Sequence, residues 1–108
     1  MKTTYLPGLT LLACAATLSA GAMAAGDPAA GKIKSFTCMG CHGVPSYNNV
    51  YPTYKVPKLG GQHAQYLAAA LQAYKDGQRS HQTMQAQAQA LSEQDMQDIA
   101  AFFAQSGE

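Results

Sequence analysis

The chain has 108 residues, with seven Lys and Arg against six Asp and Glu, a formal net charge of +1, which is enough chain for one small domain. Charged residues make up 12% of it and there is no Trp. Such a balance leaves no basic stripe of the kind that nucleic-acid binding requires.

The N-terminus reads as an export signal. Met1-Lys2 is positive, Leu9 to Ala22 is apolar and uncharged, and Ala22-Met23-Ala24 has the small-x-small form of a cleavage site. The apolar run is too short to span a bilayer comfortably, and no second run follows. Cleavage is expected after Ala24. That leaves residues 25–108 as one periplasmic domain with no stable membrane insertion. Leu11-Leu12-Ala13-Cys14 faintly resembles a lipoprotein site, but only part of the apolar run precedes Cys14.

After Ala24, Ala and Gln dominate and large apolar side chains are sparse. Small domains bury only ~60–65% of the surface that their unfolded chains expose. A bound macrocycle would supply the apolar centre that these side chains do not.

Asp27 is a good N-cap and Pro28 suits the first helical position. A helix from about Pro28 to Thr37 is expected, with Gly31 where another helix could cross closely. Residues 44–58 hold three prolines, three tyrosines and an Asn-Asn pair, and read as loop. A second helix is expected from near Gly61-Gln62 to Asp76, with Leu67, Leu71 and Tyr74 on one face and Gly77 as its stop. Residues 78–91 are irregular in pattern, and the alternation of Gln and Ala over 85–90 reads as a soft helical turn, since it lacks β-branched residues. Ser92 starts a last helix with Glu93 and Asp95 in its first turn and Met96, Ile99, Ala100 and Phe103 as its buried stripe. No strand is expected, and the fold class is all-α.

Between the first helix and the loop lies Cys38-Met39-Gly40-Cys41-His42. Two cysteines at this spacing can both reach the vinyl groups on one edge of a haem, and the adjacent histidine then faces the iron; the motif reads as c-type haem attachment. Two other readings compete. A thioredoxin-like redox pair needs a βαβ pattern, and structural zinc needs four ligands, usually from two spaced pairs. Extracytoplasmic location would also permit a Cys38–Cys41 disulfide. For a second axial ligand the candidates are Met39, Met84, Met96, His63 and His81. Met39 lies inside the attachment loop, Met96 fits a buried helical stripe, and His63 fits the first turn of the second helix. His81 and Met84 both lie in the polar segment before the last helix.

The chain resembles the class I cytochromes c, especially small bacterial one-haem members and single halves of two-haem ones. The resemblance rests on an ordered series over residues 26–106. Gly26-Asp27 and Gly31 precede CMGCHG, followed by Pro57-Lys58-Leu59-Gly60-Gly61-Gln62, Tyr66-Leu67, Gly77-Gln78-Arg79, Met84, Leu91 to Asp95, and Ile99 to Phe103. It implies three main helices around one haem c held by Cys38 and Cys41, with His42 as proximal ligand and Met84 as distal ligand. Pro57 would accept the other ring N–H of the proximal histidine, and Arg79 could help to neutralise a propionate. The first helix would cross the last, with Gly31 near Ile99, Ala100 and Phe103. One departure is the long, tyrosine-rich loop holding Tyr47, Tyr51 and Tyr54, whose rings would cover the haem edge, the preferred reading, or form a docking surface.

With both axial positions filled no open site remains for substrate. The implied function is a non-enzymatic periplasmic carrier of single electrons between a dehydrogenase and an oxidase or reductase. The alternatives are a haem c subunit of a larger oxidoreductase complex, or a haem-based ligand sensor or peroxidase-like protein. Past Ala24 the charges balance, with every basic residue within 32–79 and only acids in 80–108. Lys55, Lys58 and Arg79 are the residues expected to meet a partner.

Overall fold

The computed structural model describes Thr4 and residues 25–107, so the export signal and its cleavage site lie outside the described residues. The Asp27 carboxylate accepts the Ala29 N–H at 2.9 Å and caps α1 (Pro28–Lys34). The expected first helix breaks at Ser35, and α2 (Phe36–His42) continues from it. Ser35 is fully buried and its hydroxyl donates to the Lys32 carbonyl at 3.1 Å. This local bond competes with the helical ladder and turns the chain.

The next segment departs from expectation. Within the loop, β1 (Asn48–Val50) pairs antiparallel with β2 (Thr53–Lys55), Asn49 standing opposite Tyr54. Both strands are short and mostly exposed, so no alternation of apolar residues announced them. Three further bonds hold the hairpin: Asn49 Nδ2 donates to Pro52 O at 2.7 Å, Thr53 Oγ1 to Val50 O at 2.8 Å, and Val56 N to Tyr47 O at 3.0 Å.

Helix α3 (Ala64–Lys75) ends where expected. Gly77 takes φ +77°, the left-handed conformation that glycine adopts without steric cost, and Gly77 N and Gln78 N donate to Tyr74 O and Ala73 O at 3.2 and 2.9 Å. The soft helical turn proves to be a full helix, α4 (Gln82–Gln89). Its Gln, Ala and Met are all good helix formers, which is the signal that the missing apolar stripe obscured. Ser92 caps α5 (Glu93–Gln105) through the reciprocal box with Asp95, at 3.1 and 2.9 Å.

Helix α1 crosses α5, α5 packs on α3, and α3 on α4. The core is Leu67, Ala68, Ile99, Ala100 and Phe103, flanked by Cys38, Leu59 and Leu71. At the crossing, a Cβ on Gly31 would lie 1.9 Å from the Asp98 carbonyl oxygen and 2.9 Å from Phe102 Cβ, so α1 and α5 cross as expected, with the closest approach at Asp98 and Phe102. Asp98 is 3% exposed, and its carboxylate accepts from Asp27 N (2.8 Å), Gln94 Nε2 (2.8 Å) and Lys34 Nζ (2.6 Å). Lys34 also pairs with Asp95 at 2.8 Å. Two acids of the last helix are therefore matched by a lysine of the first, and the charges are less separated than chain order suggests.

These contacts have a pH signature. Lys34 and the backbone N–H of Ser92 hold Asp95 down to about 2, and Lys34, the N–H of Asp27 and the Gln94 amide do the same for Asp98. The unfolded value is ~3.9. Between these limits the unfolded chain binds more protons, so stability is fully present above ~4 and is lost as pH falls through about 2. The melting temperature of the holoprotein should fall across that window, with a shallower fall in Lys34→Met. Equal slopes would remove the ion pairs as the cause.

Candidate functional site

A cleft of about 360 Å³ opens between α2, β2 with the segment after it, α3 and α4. Its walls include Cys38, Cys41 and His42 from α2, Met84 from α4, and Leu67, Leu71, Ile99 and Phe103 from the core. The four site residues expected from sequence thus line one cavity. Helix α2 carries the first three because a CxxCH stretch wound as helix puts both cysteines one turn apart on one side.

The two thiols are free, so no disulfide joins them. Burial pushes the Cys38 thiol above its usual range, against an opposing hydrogen bond from Thr37. His42 Nδ1 donates to the Pro57 carbonyl at 2.8 Å. A carbonyl only accepts, so the proton sits on Nδ1 and Nε2 keeps its lone pair. The bond expected between these residues is present.

The other candidate ligands sort by position. Met39 lies outside the cleft against Gly43, and His63 is an exposed N-cap without a side-chain bond. Met96 is buried in a separate depression beside Ala68 and Ala69. His81 does line the cleft, but as the N-cap of α4 its Nδ1 accepts the Met84 N–H at 3.4 Å. In that tautomer Nε2 carries the proton and the ring has no spare lone pair. Arg79 also lines the cleft, its guanidinium 4.8 Å above the Tyr74 ring. Sequence reading missed two contacts here: Tyr54 meets His81 edge-on with ring centroids 4.6 Å apart, and Lys75 Nζ donates to the Leu91 carbonyl. Neither follows a local pattern, since each joins segments distant in the chain.

The competing chemistries fail on the described residues. They hold one antiparallel hairpin and no parallel strands, so no βαβ unit carries the cysteines. Among them no group of three or more His, Cys, Asp or Glu could hold a metal ion. What remains is an apolar cleft with two adjacent thiols, one histidine nitrogen and one thioether. This donor set fits a haem bound through thioethers. The sequence model of the family described as Cytochrome c matches residues 28–106.

The chain belongs to the cytochrome c family. It is 45% identical over 82 residues to cytochrome c-554(548) of Halomonas halodenitrificans, covering 73% of this chain and 95% of that one. It is 45% identical over 83 residues to cytochrome c4 of Pseudomonas aeruginosa, there covering 77% of this chain but 40% of the relative. Among solved structures, reduced cytochrome c4 from Pseudomonas stutzeri matches with TM-score 0.58 and 26% identity, over 80% of this chain and 53% of that chain. Cytochromes c carry covalent c-type haem, and this member is an electron carrier rather than an enzyme. Among the described residues no helix is long and apolar enough to cross a membrane.

Proposed function

We propose that this cytochrome c is a periplasmic carrier of single electrons, its haem attached to Cys38 and Cys41 and ligated by His42 and Met84. When bound, the haem supplies the one-electron ferrous–ferric couple. The observation that carries the reading is His42: with its proton held on Nδ1 by Pro57, its other nitrogen is kept as a donor within the cleft that Met84 also lines. Pro57 fixes the tautomer and ring orientation, Met84 supplies a soft thioether, and the apolar walls from Leu67, Leu71, Ile99 and Phe103 limit water. Export with cleavage after Ala24 would deliver residues 25–108 to the compartment where attachment occurs.

Relatives named thiosulfate dehydrogenase electron acceptor, from Stutzerimonas stutzeri and Thiomonas intermedia, are 38% and 32% identical over 74 and 75 residues. They support a dehydrogenase as the electron donor. Lys55, Lys58 and Arg79 all border the cleft, which supports docking of an acidic partner there. Two results are expected of the purified holoprotein: a reversible one-electron titration, and a reduced spectrum unmoved by carbon monoxide. Electron transfer should also slow as salt rises, since screening shortens the Debye length from ~10 Å at 0.1 M to ~3 Å at 1 M. Lys55→Gln/Lys58→Gln should flatten that dependence. Carbon monoxide binding by the unaltered protein would favour the sensor or peroxidase-like class, and unchanged salt slopes would remove these lysines from the docking surface.

A subunit of a larger complex is the second reading. Ile33 and Phe36 are 78% and 83% exposed on α1 and α2, more apolar surface than a free carrier needs there.

A further inference from the structure

The hairpin between His42 and Pro57 belongs by sequence to the segment that holds the proximal histidine. Yet Tyr54 of β2 touches His81, the first residue of the segment that carries Met84. The rings meet edge to face, 4.6 Å between centroids and 86° between planes. On its other side the same imidazole accepts the Met84 backbone N–H through Nδ1 and caps α4. Tyr54, His81 and Met84 thus form a relay across the cleft, and all three line it.

From this relay we propose that Tyr54 and His81 are positioning residues for Met84, the hairpin acting as a strap that holds the N-terminus of α4 at the cleft that would take the haem. The assignment rests on Met84 being the distal ligand. Histidine is an uncommon N-cap, and its use here has a physical reason: a Ser or Asp in its place could cap the helix but would offer no ring for Tyr54 to meet. The fully buried residue of α4 is Ala88, near its far end. That end is tied down separately, because Gln89 Nε2 donates to the Lys75 carbonyl at 2.9 Å and Leu91 accepts from Lys75 Nζ. The N-terminal turn, which carries Met84, depends on the cap and the ring. Tyr51, at the tip of the same hairpin, is 96% exposed and takes no part.

The test uses holoprotein variants read by three signals: the sulfur-to-iron absorption of the oxidised form, the reduction potential, and the fraction that takes up carbon monoxide when reduced. His81→Ala and Tyr54→Ser should weaken the sulfur band, lower the potential and raise the carbon monoxide-binding fraction about fivefold, the effect of losing one helix cap or one ring pair. His81→Asn keeps a side-chain acceptor at the cap and should recover most of the band, which a ligand or bulk-packing role for His81 would not allow. Tyr51→Ser should match the unaltered protein. Unchanged signals in both His81→Ala and Tyr54→Ser would overturn the proposal, as would a His81→Asn protein no better than His81→Ala. Met84→Ala runs beside them: if it keeps the sulfur band, the ligand assignment itself is at fault rather than the strap.

Discussion

Replacing both Cys38 and Cys41 by Ala should yield a protein with no covalent haem and no cooperative unfolding near the holoprotein's midpoint. The first half follows from the two free thiols on one side of α2. The second follows from the size of the core. Five residues make the buried cluster, and two of them are alanines. Without haem, the apolar cleft walls from Leu67, Leu71, Ile99 and Phe103 face water instead of a macrocycle. Small domains are stable by only ~5–15 kcal/mol, so losing that burial matters, while a covalently held group stabilises the native state without ever dissociating. Intact mass after acid extraction reads the first effect and calorimetry the second. A mass adduct in the double variant, or a transition close to that of the holoprotein, would count against the argument.

Met84→Ala should lower the reduction potential and abolish the sulfur-to-iron absorption at the red end of the oxidised spectrum. Methionine ligation raises the potential, and the choice of axial ligands spans ~0.8 V across haem proteins, so the shift should be a sizeable part of that range. The variant should also bind carbon monoxide, because alanine cannot fill the position. Met96→Ala gives the contrast. Met96 is buried away from the cleft, so its loss should reduce stability by about 2–5 kcal/mol as a large-to-small core change and leave the band in place. The opposite pattern would move the ligand from α4 to α5.

What could be read from the sequence was whatever is encoded locally. The Ser92–Asp95 box, the stop at Gly77 and the CxxCH spacing each need only a few adjacent residues, and each stands in the structure where expected. The hairpin and α4 were not legible in the same way. Both are short and polar, with too little buried face to set a period, and both are held by partners elsewhere: Tyr54 by His81, Gln89 by Lys75. The break at Ser35 was missed because serine is usually exposed, whereas here it is fully buried and its hydroxyl bonds to the Lys32 carbonyl. Cys38, Cys41, His42 and Met84 could be named from sequence as candidates, and they line one cleft; that His81 caps α4 through the Met84 N–H needed coordinates.

The crossing of α1 and α5 also ties together residues far apart in the chain. Asp27 and Asp98 are 71 residues apart, and closing a loop of that length costs ~4 kcal/mol of chain entropy before any contact rewards it. A fragment that stops short of the last helix keeps Cys38 and Cys41 but lacks the carboxylate that receives Asp27 and Lys34. The first helix is therefore moored to the domain by the last one, and truncation at one end of the chain is felt at the other.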